Sequence, residues 1–332
     1  MKTLRSAVPL MFLASLFTIA PNLHAQSDFN NFPDGRHHVD KKIVGYFTEW
    51  GIYSNFFVKN LITSGAANHL THINYAFATV QDNACGIADP WADFQVPFTA
   101  DQTVNGKADS QAPGAFVGNF HQLQELKRRY PQIKILVSLG GGSADPAQFS
   151  NAALPANRKA FVKNCVDMFI RGNFAPGLHE PGIFDGFDVD WEFPQTDVDK
   201  TNFTGLLAEF RKQLDAIHPD APLTIAAPAG SWAYQFIDLK KVQHILSFFN
   251  FMAYDFDGPW NSETGFVAPL YRSTKDPDAE NNIDASITAY IEAGVNPRKF
   301  WLVQPWVIVT LCLVIMVALS VPGLLMDLYR GF

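Results

Sequence analysis

The sequence predicts an α/β protein, a (β/α)8 TIM barrel that is incomplete toward its C-terminus, with strands one to six and part of a seventh. Three observations predict it. Between residues 41 and 303, short runs rich in β-branched and aromatic residues alternate with amphipathic helical stretches, the pattern of a parallel sheet covered by helices. One run, Phe184 to Glu192, carries carboxylates at alternate positions. Polar residues able to do chemistry also close several of the runs, which fits a barrel with its site at the strand C-termini better than an open sheet.

Residues 1–25 have the form of a secretory signal: Lys2 and Arg5, an apolar core from Ala7 to Ala20, and Leu23-His24-Ala25 before a cleavage point. An N-terminal membrane anchor competes, but the apolar run is short for spanning. Residues 26–40 are polar and form a linker. The first strand is Lys42–Phe47, followed by the loop Thr48–Asn55 and a helix over 56–67. His72–Phe77 is the second strand. The long stretch from Gln81 to Gly118 is a loop, and Phe120–Tyr130 is a helix with Leu123 and Leu126 at helical spacing. Ile133–Ser138 is the third strand and runs into Leu139-Gly140-Gly141-Gly142. Arg158–Arg171 is a helix with Phe161, Cys165, Met168 and Phe169 on one stripe. The acid run is the fourth strand. Thr201–Ile217 is a helix, Leu223–Pro228 the fifth strand, and Asp238–Leu246 a short helix. Phe248–Asp255 is the sixth strand, Ile283–Ala293 a helix ended by Gly294, and Arg298–Val303 begins a seventh strand.

Composition narrows the function. Of the 332 residues, 48% are hydrophobic and 17% charged, as in a folded chain. The net charge of −7, with no basic tract to offset it, argues against a nucleic-acid partner. Aromatics make up 14%; they serve a core or a cleft that stacks on sugar rings, and composition alone favours the core. Cys85, Cys165 and Cys312 fit no metal pattern, and His37, His38, His69 and His72 form no ligand cluster, so no metal and no cofactor are expected. A Cys85–Cys165 disulfide in an oxidising compartment is one of the alternatives for the cysteines.

On the acid strand, Phe187, Val189 and Trp191 share one face, while Asp188, Asp190 and Glu192 share the other at about 7 Å spacing. Three crowded carboxyls repel when ionised, which keeps a proton on at least one of them at neutral pH. A carboxylic acid so held is available as a general acid. The competing reading, a solvated outer face of an antiparallel strand, fits poorly with the apolar ending Trp191-Glu192-Phe193-Pro194. Asp185 falls off the acid face and is expected to be structural, capping the turn with Gly186.

These residues resemble glycoside hydrolase family 18, the chitinase family. Asp185-Gly186-Phe187-Asp188-Val189-Asp190-Trp191-Glu192 is similar to that family's fourth-strand motif. Ser138-Leu139-Gly140-Gly141 resembles its third-strand motif and Met252-Ala253-Tyr254-Asp255 its sixth. Gly45-Tyr46-Phe47-Thr48-Glu49-Trp50 and Asn74-Tyr75-Ala76-Phe77 look like the first two strands of secreted bacterial members. The resemblance implies an extracellular enzyme acting on chitin or N-acetylglucosamine oligomers. It implies Glu192 as general acid and then base, with the substrate's own N-acetyl oxygen as nucleophile. Asp190 would turn between Asp188 and Glu192, Asp188 would hold the shared proton, and Tyr254 would donate to the acetyl oxygen. Asp255 and Met252 would contact the sugar, Trp50, Phe77 and Trp260 are candidate stacking or contact residues, and bare Gly140 and Gly141 would leave room for the ring. For Trp50, Phe77, Trp260 and Tyr254 a plain packing role competes, and Ser138 is expected to satisfy a local hydrogen bond.

The pattern departs from the family after residue 303. Trp306 to Met326 is a run of mainly apolar residues without charge, long enough to span a bilayer, where the family has the rest of its barrel. Three readings stand: a membrane anchor at 304–332, an altered or truncated ending, or makeshift strands. An unfinished barrel exposes strand edges, so impaired folding or activity is expected. A non-catalytic chitin-binding lectin, an inactive remnant, and an enzyme cutting N-acetylglucosamine from glycoproteins are the rival functions; the intact Glu192 favours an enzyme.

Overall fold

The computed structural model describes residues 42–276, 281–303 and 313–317. The expected signal segment, the linker and most of the apolar run Trp306 to Met326 lie outside the described residues.

Seven strands run parallel in a curled sheet. They are β1 (Ile43–Thr48), β2 (His72–Gln81), β4 (Lys134–Gly140), β7 (Gly186–Asp190), β8 (Leu223–Pro228), β9 (Phe248–Met252) and β10 (Phe300–Val303). Their order is β10-β9-β8-β7-β4-β2-β1, so each strand that follows a helix pairs with the one before it. This is an incomplete (β/α)8 barrel. In place of an eighth parallel strand, β11 (Leu313–Val317) pairs antiparallel with β1, with Ile43 opposite Val317 and Phe47 opposite Leu313. That strand lies inside the apolar run. Among the described residues no helix is long and apolar enough to cross a membrane.

The helices are α1 (Val58–Thr63), α2 (Gly118–Arg129), α3 (Pro146–Ala152), α4 (Arg158–Cys165), α5 (Asp197–Asp215), the single turns α6 (Ser231–Tyr234) and α7 (Leu239–Val242), and α8 (Ile283–Glu292). Their starts follow from local chemistry. The Thr196 hydroxyl accepts from Asp199 N–H at 3.0 Å and donates to the Asp199 carboxylate at 2.8 Å, which starts α5 four residues earlier than hydrophobic spacing suggests. Asp145 accepts from Ala147 N–H ahead of Pro146, starting a helix, α3, that periodicity missed. The helix expected to reach Arg171 ends as a regular helix at Cys165 and continues to Ile170 as a wider π-type turn.

The apolar face of the acid strand makes the core against these helices. Phe187 packs on Phe210 of α5, and Trp191 sits between Phe149 of α3 and Phe203 of α5. All three of Phe187, Val189 and Trp191 are buried. Burying such side chains stabilises the layer by about 1.5–3 kcal/mol each.

The stretch from Gln81 to Gly118 is not all loop. Asp82 and Asn83, with φ of 51° and 59°, form a two-residue turn that folds β3 (Ala84–Ile87) back on β2. Cys85 of β3 is disulfide-bonded to Cys165 at the end of α4, with the Cα atoms 5.1 Å apart and a sequence separation of 80. Closing so long a loop restricts the unfolded chain by an amount on the order of 4–5 kcal/mol. A small hairpin of β5 (Asn173–Ala175) and β6 (Leu178–His179) precedes the acid strand. Asp185 is structural, but it does not cap a turn with Gly186. Its carboxylate accepts from Ile135 N–H at 2.8 Å and from Lys127 Nζ at 2.9 Å, bracing the entrance of β7 against β4 and α2.

Candidate active site

Strand register assembles the site. Ser138 on β4 lies directly opposite Asp188 on β7, and Asp188 lies opposite Thr224 on β8. With Tyr46 from β1 and Asn250 from β9, these residues enclose Asp188 completely. Tyr46 and Ser138 donate to its Oδ2 at 2.6 and 2.9 Å; Thr224 and Asn250 donate to its Oδ1 at 2.5 and 2.9 Å. Four donors on two oxygens leave no acceptor position open. Burial pushes the Asp188 carboxyl up, and the four hydrogen bonds pull against it.

Asp190, on the same face of β7 two residues on, is also buried. Its Oδ1 has no hydrogen-bond partner, and among the neighbouring charges that of Glu192 acts on it most strongly. Burial, then the charges of Glu192 and Asp188, push the Asp190 carboxyl well above the ordinary range. Glu192 is half-buried and raised by burial, while the hydrogen bond from Asp190 opposes that rise. Asp190 lies within reach of the charges of both neighbouring acids, of which that of Glu192 acts on it more strongly. Asp188, by contrast, is saturated by neutral donors.

The other expected residues divide. Tyr254 is half-buried in a small cluster with Tyr46, Ala76 and Phe77, and its phenol is raised by burial and by the nearby charges of Asp190 and Glu192. Asp255 is exposed in a left-handed conformation at φ 57°, close enough to raise Glu192, and Met252 is half-buried at the end of β9. Trp50 is 42% exposed and leans on Phe77, with ring centroids 6.0 Å apart. Trp260 is exposed in the loop after β9.

Gly140 and Gly141 are not openings for a sugar. A Cβ on Gly140 would lie 2.5 Å from the Asp190 carbonyl oxygen and 2.6 Å from the Phe149 ring, and one on buried Gly141 would lie 2.8 Å from the Phe77 ring. With φ of 104° and 87°, both are glycine because backbone and aromatic rings close in on them. The glycine facing the acid is the next one: a Cβ on Gly142 would stand 3.3 Å from Glu192 Oε1. Sequence reasoning also passed over Tyr46, Thr224 and Asn250 as site residues. The signal was present, since Thr224 and Asn250 interrupt otherwise apolar strands that are buried on both faces.

A barrel of the (β/α)8 class with three acids on one face at the C-terminal end of one strand is what fold and site define. The chain belongs to the glycosyl hydrolases family 18, whose model matches residues 42–310. It is 39% identical to Chitinase C of Streptomyces lividans over 266 residues, which is 77% of this chain and 41% of that protein. It is 31% identical to Chitinase A1 of Niallia circulans, covering 80% of this chain and 42% of that one. Among solved structures, the catalytic domain of psychrophilic chitinase B from Arthrobacter TAD20 superimposes with a TM-score of 0.73 at 36% identity, over 79% of this chain and 70% of that one. The chain thus spans about two fifths of the length of these two curated relatives.

Proposed function

We propose that this chain hydrolyses β-1,4 linkages between N-acetylglucosamine units in chitin, with retention of configuration and with Glu192 as general acid and base. The observation that carries the reading is the row of three acids on one face at the end of β7: Asp188, buried and fixed by four donors, buried Asp190, and half-buried Glu192 just beyond the strand. The relatives named as chitinases support the substrate class.

Glu192 gives its proton to the leaving glycosidic oxygen as the substrate's acetamido oxygen attacks the anomeric carbon, forming an oxazolinium ion. Water then attacks that carbon, and Glu192 takes the water's proton. The hydrogen bond from Asp190 favours the Glu192 carboxylate, so it stabilises the base left after proton donation. Asp188 is a fixed base plate for Asp190. Tyr254 donates to the acetyl oxygen, Asp255 and Met252 bound the sugar, and Trp50, Phe77 and Trp260 extend the cleft. The chain works outside the cytoplasm, a reading supported by the signal-like N-terminus and by the Cys85–Cys165 disulfide.

The test is hydrolysis of soluble N-acetylglucosamine oligomers by the full chain and by Glu192→Gln, with the product anomer followed by NMR. A loss in kcat of about 10²–10⁴-fold or more is expected for the variant. The initial product is expected to be the β-anomer. Undiminished turnover in Glu192→Gln, or an initial α-anomer, overturns the reading.

A further inference from the structure

Three consecutive glycines close β4, and the third is glycine for a different reason from the other two. The pairing of β4 with β7 stops at Gly140 opposite Asp190. Gly142 and Glu192 each lie two residues beyond that last pair, so the two strands carry them out of the sheet as counterparts. The ladder no longer holds Glu192, but the turn beside it is pinned. Gly141 N–H donates to the Asp190 carbonyl at 3.0 Å, and Ala144 N–H donates to the Gly141 carbonyl at 2.9 Å. Gly142 sits inside this turn and is exposed.

Gly140 and Gly141 have a left-handed φ, and Gly142 does not. Its backbone is one that alanine could adopt. What stands in the way is the acid. A Cβ on Gly142 would have the Glu192 carboxyl as its nearest neighbour, with Oε1 at 3.3 Å, Oε2 at 3.4 Å and Cδ at 3.5 Å. Near-equal distances to both oxygens put that Cβ across the oxygen end of the group. This is the end that must give a proton to a leaving oxygen and then take one from water. A methyl there is close enough to shift the carboxyl by a few tenths of an ångström and to exclude water from it.

We infer that Gly142 is a positioning residue for Glu192: its bare backbone lets the oxygen end of the acid lie against the pinned turn and stay open to substrate and water. The inference rests on the hydrolase reading and deepens it. The charged and titratable groups that act on Glu192, or feel its charge, are Asp190 of β7 and Tyr254 and Asp255 beyond β9. A substitution at 142 leaves all three in place, so its effect on the acid isolates the bare backbone.

Gly142→Ala and Gly142→Ser test it, assayed beside the unaltered chain and Glu192→Gln on an N-acetylglucosamine hexamer and on the dinitrophenyl glycoside of the dimer. Dinitrophenolate leaves without taking a proton, so its departure does not need the acid. A misplacement of about 1 Å costs on the order of 10²-fold, so kcat/KM for the hexamer is expected to fall about tenfold in Gly142→Ala, and less for the aryl substrate. The methyl dries the carboxyl and favours its protonated form, so the alkaline limb of kcat/KM moves to higher pH. The serine hydroxyl donates to the carboxylate and brings that limb back down. Both variants are expected to melt at or slightly above the unaltered chain, since a side chain in place of glycine restricts the unfolded state. An alkaline limb unmoved in both variants, or equal losses on the two substrates, overturns the inference and leaves the hydrolase reading standing if Glu192→Gln removes hexamer cleavage. If the unaltered chain cleaves neither substrate, the hydrolase reading falls and takes this inference with it.

Discussion

Asp188 and Glu49 are both buried carboxyls, one inside β7 and one following the last residue of β1, yet they are held in opposite ways. Asp188 accepts four hydrogen bonds from four strands. Glu49 is 6% exposed and its Oε2 has no partner. Its surroundings are acidic: Asp89 lies nearby, and buried Asp93, which accepts from the Tyr75 hydroxyl, feels its charge. Burial, then the Asp89 charge, push Glu49 up to about 8. A raised carboxyl is therefore not by itself a mark of catalysis. Asp188 has both oxygens committed to donors, whereas one oxygen of buried Glu49 has none. The pair Asp190–Glu192 differs from both in that a raised acid there is also half-exposed.

Asp188→Ala strips the acceptor from four buried donors and is the largest perturbation expected. Each orphaned donor costs about 1–3 kcal/mol, so a loss on the order of 4 kcal/mol or more should appear as a fall in the denaturant midpoint. A stable Asp188→Ala would show that the four hydrogen bonds do not hold the strands together. Tyr46→Phe removes one donor of the four and is expected to cost about 1–3 kcal/mol by the same measurement. A neutral result would mean that Ser138 alone serves Oδ2.

The smallest effect sharpens the other half of the comparison. Because Glu49 is raised on folding, the folded chain holds that proton more tightly than the unfolded chain. Its stabilising contribution is full below the ordinary glutamate range and is lost as pH rises toward and through about 8. Glu49→Gln should melt within about 1 °C of the unaltered chain at pH 5 and roughly 4 °C higher at pH 9, measured by calorimetry. Parallel melting curves at both pH values would remove Glu49 as the proton-holding group.

Much of the fold was legible because strand and helix periods differ so plainly. Leu223–Pro228 was bounded as found, and the alternation in the acid strand separated the packing face of Phe187, Val189 and Trp191 from the acid face. The β2–β3 hairpin was missed although Asp82-Asn83 is a turn dipeptide suited to positive φ, because the polar residues beyond it read as one continuous loop. Gly140 and Gly141 were misread for a different reason. A sequence shows that a side chain is missing but not what fills its place, and here the Asp190 backbone, Phe149 and Phe77 do so.

The sequence by itself determined the parallel α/β order, the three acids on one face and the family to which they belong, because these depend on residue type and spacing along one segment. Only the tertiary structure decided which acid touches which, that Cys85 meets Cys165, and that part of the apolar run pairs antiparallel with β1. Those outcomes join residues from distant strands. The donors to Asp188 come from four separate strands, and no local pattern records a contact that only closure of the sheet creates.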